Sequence, residues 1–245
     1  MIFFSQNGQD KFIVDLFKEK REGIFMDIGS YDGVNFSNTF YLEKELGWSG
    51  ICVEPNPIIY KQLISNRTCV CINACISDTA GSQEFIAVTG YGSMLSGIRA
   101  FIDEQHMITI DKGISTFGGS KTIINVDSLS IKTILDTHFL PIIDYCNIDV
   151  EGAEMAVLKS IDFSKVTIKV FTIENRDDKK DIINFLKPLG YKLINRLGAD
   201  EIFELNSKRY GAILNFTFRK LKHKISFYKK LLINKLQKNA VSILF

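Results

Sequence analysis

Short, unbroken apolar runs alternate along this chain with stretches of helical periodicity, and that rhythm restricts the possible folds more than any other feature. Residues 23–28, 50–54 and 69–76 read as buried strands. Between them, residues 36–46 and 58–65 read as amphipathic helices, the second introduced by Pro55 and Pro57. A fourth strand over 84–88 follows the turn at 77–81. The rhythm resumes with strand 143–148, helix 154–161, strand 167–173, helix 179–186 and strands 191–194 and 201–205. A helix over 10–18 precedes it all. Strands that are apolar on both faces, joined by amphipathic helices, predict a parallel sheet covered on both sides. The expectation is one doubly wound, Rossmann-like α/β domain over residues 1–207. Internal repeats of solenoid period are absent from the sequence.

Composition agrees and removes other classes. Among 245 residues, 46% are hydrophobic, 24% are charged and only four are proline, which excludes disordered and collagen-like chains. No basic stretch precedes an apolar run at the start, so a secretory signal is not expected. No run reaches the roughly 18 apolar residues of a membrane span. Five cysteines (Cys52, Cys69, Cys71, Cys75, Cys146) lie in strand-like runs. Their odd number, and a C-x-C-x3-C spacing unlike that of zinc sites, point to buried, reduced thiols and a cytoplasmic protein.

Two regions fall outside the rhythm. Residues 90–143 stand where one crossover helix would suffice, and their first part, 90–125, contains six glycines. An insertion at that edge of the sheet is expected to act as a lid or to hold an acceptor. Residues 206–245 carry ten Lys/Arg and no acid, which leaves 20 basic against 28 acidic residues, a net −8, in the rest. Within this tail Leu214, Phe218, Leu221, Ile225, Tyr228, Leu232 and Leu236 form one helical stripe. A basic amphipathic helix over 208–245 suits an anionic membrane surface, or else packing on the body or on a second subunit. Nucleic acid is disfavoured, since the body is acidic and has no reader motif.

Ligands of open α/β sheets bind beyond the carboxyl ends of the strands. The first such end is Asp27-Ile28-Gly29-Ser30-Tyr31-Asp32-Gly33. Gly29 and Gly33 let the backbone turn close to a ligand, and N–H groups at the start of the next helix can meet a carboxylate. Asp27 suits a cationic amine. Glu54 ends the second strand, 25 residues after Gly29, where a carboxylate can take both hydroxyls of a ribose. A nicotinamide site prefers G-x-G-x-x-G, and Asp27 in place of its first glycine would repel the pyrophosphate. The amino-acid end of S-adenosylmethionine fits better. A nicotinamide-dependent oxidoreductase and an inactive membrane-associated scaffold remain as alternatives.

Several blocks resemble the FkbM-type methyltransferase family: Ser5-Gln6 with Gln9-Asp10, Asp27 to Gly33, Ser37-Asn38-Thr39, Gly47-Trp48 through Glu54-Pro55-Asn56-Pro57, Asn66-Arg67, Leu95-Ser96-Gly97-Ile98, and Ile148-Asp149-Val150-Glu151-Gly152-Ala153-Glu154. The likeness covers about residues 5–205. It implies an S-adenosylmethionine-dependent methyltransferase with a seven-stranded sheet. It further implies O-methylation, often of sugar hydroxyls in surface glycans or of secondary metabolites. Gln6, Gln9, Ser96, Gly97 and Arg99 then become candidates for the pocket or its cover. By position, Ser30 joins Asp27, Gly29, Gly33 and Glu54 at the donor, and Asn73-Ala74 faces the adenine. Ser37 and Asn38 either contact the donor or cap their helix.

A sugar hydroxyl is a poor nucleophile that loses its proton during attack, so a base or a metal is expected. Asp149 ends a strand, and Gly152 permits a turn into a helix where Glu151 and Glu154 share the acid-favouring first turn. Glu174-Asn175 ends the next strand. Catechol-type methyltransferases bind Mg2+ with an Asp at one strand end and an Asp-Asn pair at its neighbour, and Asp149 with Glu174 and Asn175 is similar in position. These three are the candidate metal ligands. Asp149, Glu174 and His106 are the candidate catalytic residues, His106 because His138 and His223 lie elsewhere.

Overall fold

The computed structural model describes residues 2–78, 80–138, 140–176, 178 and 180–206. Helix α1 (Gln9–Leu16) is followed by strands β1 (Ile24–Ile28), β2 (Ser49–Val53) and β3 (Val70–Ile72), separated by helices α2 (Phe40–Leu46) and α3 (Pro57–Asn66). Next come β4 (Cys75–Ile76), β5 (Gly81–Val88), β6 (Gly97–Ile98), α4 (Glu104–Phe117) and β7 (Lys121–Leu129). Helix α5 (Ile131–His138) then leads back to β8 (Ile142–Ile148), α6 (Glu154–Lys159), β9 (Thr167–Glu174), α7 (Asp181–Leu186), β10 (Tyr191–Leu197) and β11 (Asp200–Leu205).

The main sheet has seven strands in the order β10-β11-β9-β8-β1-β2-β3. This is the expected Rossmann-like architecture. Phe25, Met26 and Ile28 of β1, Tyr145, Cys146 and Ile148 of β8, and Val170, Phe171 and Ile173 of β9 are all buried, as strands covered on both faces require. The chain builds outward from β1 through β2 to β3, then returns to place β8 on the other side of β1. The crevice at such a reversal is where open α/β sheets hold ligands.

Several expectations need correction. The sheet is not parallel throughout: β11 runs antiparallel to both β9 and β10. Only Gly198-Ala199 separates β10 from β11, and so short a link can only make a hairpin. The predicted strand 69–76 divides at Asn73-Ala74, because Asn73 Nδ2 donates to the Glu54 and Pro55 carbonyls, at 2.8 and 3.0 Å, and holds the turn. Its second half, β4, enters a separate four-stranded sheet of order β4-β7-β5-β6. The insertion is therefore a sheet with its own helix. Phe85, Ala87, Ile98 and Val126 of this sheet pack with Ala153, just before α6. Ile86 and Val88 pack with Ile110 of α4. That packing sets the second sheet over the carboxyl edge of the first.

Helix α2 starts at Phe40, not 36, since Ser37 Oγ accepts the Phe40 N–H at 3.1 Å and ends the preceding loop there. All five cysteines are free thiols. Among the described residues no helix is long and apolar enough to cross a membrane. The basic striped segment 208–245, with its membrane, subunit and nucleic-acid readings, lies outside the described residues.

Candidate functional site

A cavity of about 380 Å³ opens at the reversal between β1 and β8. It lies under the second sheet and its connections, where Ala74, Cys75, Ile76, Phe85, Met94, Leu95 and Ile98 form an apolar side. Polar residues from the ends of β1, β2, β8 and β9 form the opposite side.

The first polar group surrounds Asp27, which is buried in β1. Its carboxylate accepts from Thr39 Oγ1 at 2.5 Å and from Asn147 Nδ2 at 3.0 Å. Burial raises its pKa more than Arg67 and these hydrogen bonds lower it. Asn147 Oδ1 in turn accepts from Asn38 Nδ2 at 2.8 Å. That leaves Asn38 Oδ1 buried without a partner in the cavity wall. A buried carbonyl oxygen without a donor is under-satisfied, and a ligand amine or hydroxyl would satisfy it.

Gly29 follows β1 at φ +85°, and a Cβ there would lie 1.7 Å from the Asp149 carbonyl oxygen. Only glycine lets the loops after β1 and β8 approach so closely. The N–H groups of Gly29 and Ser30 both donate to the Val53 carbonyl, and Tyr31 N–H goes to Glu54. They are therefore not free for a ligand carboxylate, as an immediately following helix would have left them. Ser30 Oγ donates to the Asp27 carbonyl and accepts the Val53 N–H.

Glu54 stands at the tip of β2. Each carboxylate oxygen takes one backbone N–H, Tyr31 at 3.1 Å and Asn56 at 2.8 Å, which fixes its orientation and leaves further acceptor capacity. Burial pushes its pKa up to about 8 against those two hydrogen bonds.

The second polar group comes from the β8 and β9 ends. Asp149, Glu151 and Glu174 each bring one carboxylate oxygen to within 4.8 Å of the others. Arg176 binds two of them, Glu151 at 2.5 Å and Glu174 at 2.7 Å. Burial, then the charges of Glu174 and Glu151, hold Asp149 well above the usual carboxylate range. Burial and Glu174 raise Glu151 to about 8, although Arg176 pulls it down. Glu151 adopts φ +60° and Gly152 φ +104°, a turn held by Gly97 against Glu151 and by Phe101 against Gly152.

The structure thus brings Asp27, Gly29, Ser30, Glu54, Ala74, Asp149 and Glu174 to one cavity, together with Gln6, Asn38 and Ser96. Other candidates sit elsewhere. Gly33 packs on Leu63 and Arg67, and Asn73 holds the turn between the sheets. Gln9 donates to Asp200 at 2.6 Å. Arg99 pairs with exposed Glu84. His106 lies on α4 with Nε2 3.0 Å from the Leu95 carbonyl and 3.4 Å from Glu151, and faces a second cavity. Burial and the nearby Arg176 hold it below its ordinary pKa, against the Leu95 carbonyl. Asn175 also lines that second cavity, and Glu151 joins Asp149 and Glu174 in the carboxylate trio.

Sequence reasoning missed Arg176 and Asn147. A lone arginine after a strand reads as a solvated side chain, and an asparagine within an apolar strand reads as a tolerated polar residue. In hindsight Asn147 carried a signal, since a buried strand seldom carries an amide without a polar partner.

A family model described as the methyltransferase FkbM domain matches residues 27–193. No curated protein matches the chain significantly. Among solved structures the chain is similar to M. capricolum TrmK in complex with S-adenosyl-homocysteine, at 9% identity and TM-score 0.40, over 80% of this chain and 66% of that one. It is also similar to a precorrin-6y C5,15-methyltransferase from Geobacter metallireducens, at 10% identity and TM-score 0.39, over 80% of this chain and 88% of that one. The N-terminal domain of human METTL16 gives 11% identity and TM-score 0.42, over 79% of this chain and 66% of that one. The chain thus spans just under two thirds of the TrmK and METTL16 chains.

Proposed function

The chain belongs to the FkbM methyltransferase family, and from that premise we propose that it methylates a hydroxyl oxygen, that of a sugar in a surface glycan or glycolipid, with S-adenosylmethionine as donor. One observation carries the reading: a single cavity joins Asp27, Asn38 and Glu54 on one side to Asp149 and Glu174 on the other. The residues fit the donor. Glu54 is oriented to accept ribose hydroxyls, and the free Asn38 Oδ1 beside Asp27 accepts from the amine of the methionine end. The second sheet supplies the apolar face against the adenine. When bound, the donor supplies an electrophilic methyl on a sulfonium, so the protein's contribution is chiefly position.

Asp149 and Glu174 orient the acceptor hydroxyl from the ends of β8 and β9. Burial, then the charges of Glu174 and Glu151, raises the affinity of Asp149 for the proton that the hydroxyl loses. The carboxylate trio offers only oxygen, as Mg2+ requires. Arg176 already sits against two of the three, so a cation would enter only by displacing it.

Isothermal titration with S-adenosylhomocysteine tests the donor. The full chain should bind it, and Glu54→Ala should weaken binding by about 30-fold or more, the loss of two hydrogen bonds to the ribose. Absence of binding by the wild-type chain overturns the reading. Mass spectrometry of surface glycans with and without the protein, looking for one methyl group, tests the acceptor class.

A further inference from the structure

A second cavity, of about 430 Å³, opens beside the first. Its walls come from the starts of α4, α6 and α7 and from the end of β9. Glu174 and Arg176 line both cavities, so the two meet at the acid–arginine group that includes Asp149. Resting on the donor reading of the first cavity, we propose that the second cavity seats the acceptor sugar. We infer further that this sugar is neutral or amine-bearing rather than carboxylated or phosphorylated.

Acidic charge alone marks no site. Here the charge lines a cavity of ligand size that shares a wall with the reacting carboxylates. Four carboxyl groups face it among the described lining residues: Asp103, Glu154, Glu174 and Asp181. The one guanidinium, Arg176, is already held by Glu151 and Glu174. The ring of His106 is not a free cation either, since its Nε2 lies 3.0 Å from the Leu95 carbonyl oxygen and 3.4 Å from Glu151. Among the described lining residues no free cation answers an anionic sugar, which would therefore meet repulsion. A neutral sugar finds what its hydroxyls need. Glu154 is fixed in the wall because its Oε1 takes the Val150 and Gly152 N–H groups, and the exposed Gln105 adds an amide. Phe101, with 38% of its surface exposed, offers a flat apolar face for the C–H side of a sugar ring or for an ammonium group.

The test uses the full chain saturated with S-adenosylhomocysteine and saturation-transfer NMR with three probes: glucosamine, glucose and glucuronate. Glucosamine and glucose should give signals, with glucuronate about tenfold weaker than glucosamine, the effect of one screened like-charge contact. Thr109 is exposed and lines the cavity, so Thr109→Trp should fill its mouth and remove the sugar signals. Its S-adenosylhomocysteine affinity should stay within about threefold of wild type, since Thr109 lines the second cavity and not the first. Should that variant fail to fold, Phe101→Ala should weaken the sugar signals by up to about tenfold. Glucuronate binding as well as glucosamine, undiminished signals in both variants, or silence from all three sugars overturns the proposal. A wild-type chain that does not bind S-adenosylhomocysteine fails the donor reading instead, and the sugar ranking is then read on the free chain.

Discussion

Gly29 and Gly33 share nearly the same backbone, φ +85° and +82°, yet they answer to different neighbours. A Cβ on Gly29 would strike the Asp149 carbonyl oxygen, so the junction of the two loops beneath the cavity depends on it. A Cβ on Gly33 would meet the Leu63 and Arg67 side chains at 2.7 Å, away from the cavity. Gly29→Ala should destabilise the chain by about 3 kcal/mol and weaken S-adenosylhomocysteine by more than about tenfold, since strain at positive φ adds to a backbone clash. Gly33→Ala should destabilise by about 2 kcal/mol and leave that affinity within about threefold. Urea unfolding and titration on both variants check this, and equal affinity loss would contradict the distinction. Both glycines were legible in the D-x-G-x-x-x-G motif. Their separate roles were not, because Arg67 and Asp149 come from distant parts of the chain.

Arg67 ties the elements around the donor side together. It lines neither of the two cavities described, and its side chain is fully buried. It donates to Glu43 of α2 at 2.5 Å, to the Gly33 carbonyl at 3.1 Å and to Thr39 at 3.0 Å, the residue that also holds Asp27. Burial raises the Glu43 carboxyl, yet Arg67 and Thr68 outweigh it and hold the pKa at about 2. Arg67→Met removes the buried partner of Glu43 and leaves it Thr68 and, at 3.6 Å, the more exposed Lys44, so urea unfolding should show a loss of about 3 kcal/mol. A loss under about 1 kcal/mol would mean the pair is solvent-exposed in effect. The sequence offered Asn66-Arg67 as part of a resemblance without a physical role. It placed most helices and strands of the main sheet within a few residues. It missed β6, β7 and α4, because β6 has only two residues and β7 is largely exposed, with polar residues that dilute its alternation.

Across the whole molecule, buried acids at the cavity work against stability at neutral pH. Glu54 and Glu151, each ordinarily near 4.5, are raised to about 8 in the folded chain, Glu54 by burial and Glu151 by burial and Glu174. Between pH 4.5 and 8 the folded state therefore keeps protons that the unfolded state releases, and stability falls as pH rises. Each group contributes up to about 1.4 kcal/mol per pH unit in that window. Glu43 acts oppositely: its stabilisation is present above 4.5 and lost as pH falls toward 2. Without ligand, the chain should be most stable in mildly acidic solution. Urea midpoints from pH 5 to 8 check this, and Glu54→Gln should flatten the slope by about 1.4 kcal/mol per pH unit. Stability that is flat or rising over that range would contradict it.

From local information alone the sequence determined the α/β rhythm, the strand-end carboxylates Asp27, Glu54, Asp149 and Glu174, and the family. Periodicity and strand ends are properties of neighbouring residues, so they are written locally. Only the tertiary structure decided which of those carboxylates share a cavity and that Arg176 binds two of the trio. It also decided that Asn38, Asn147 and Asp27 form one buried network, and that a second sheet covers the site. These depend on contacts between segments far apart in the chain, as in the Asn147–Asp27 hydrogen bond across 120 residues, and no local pattern records them.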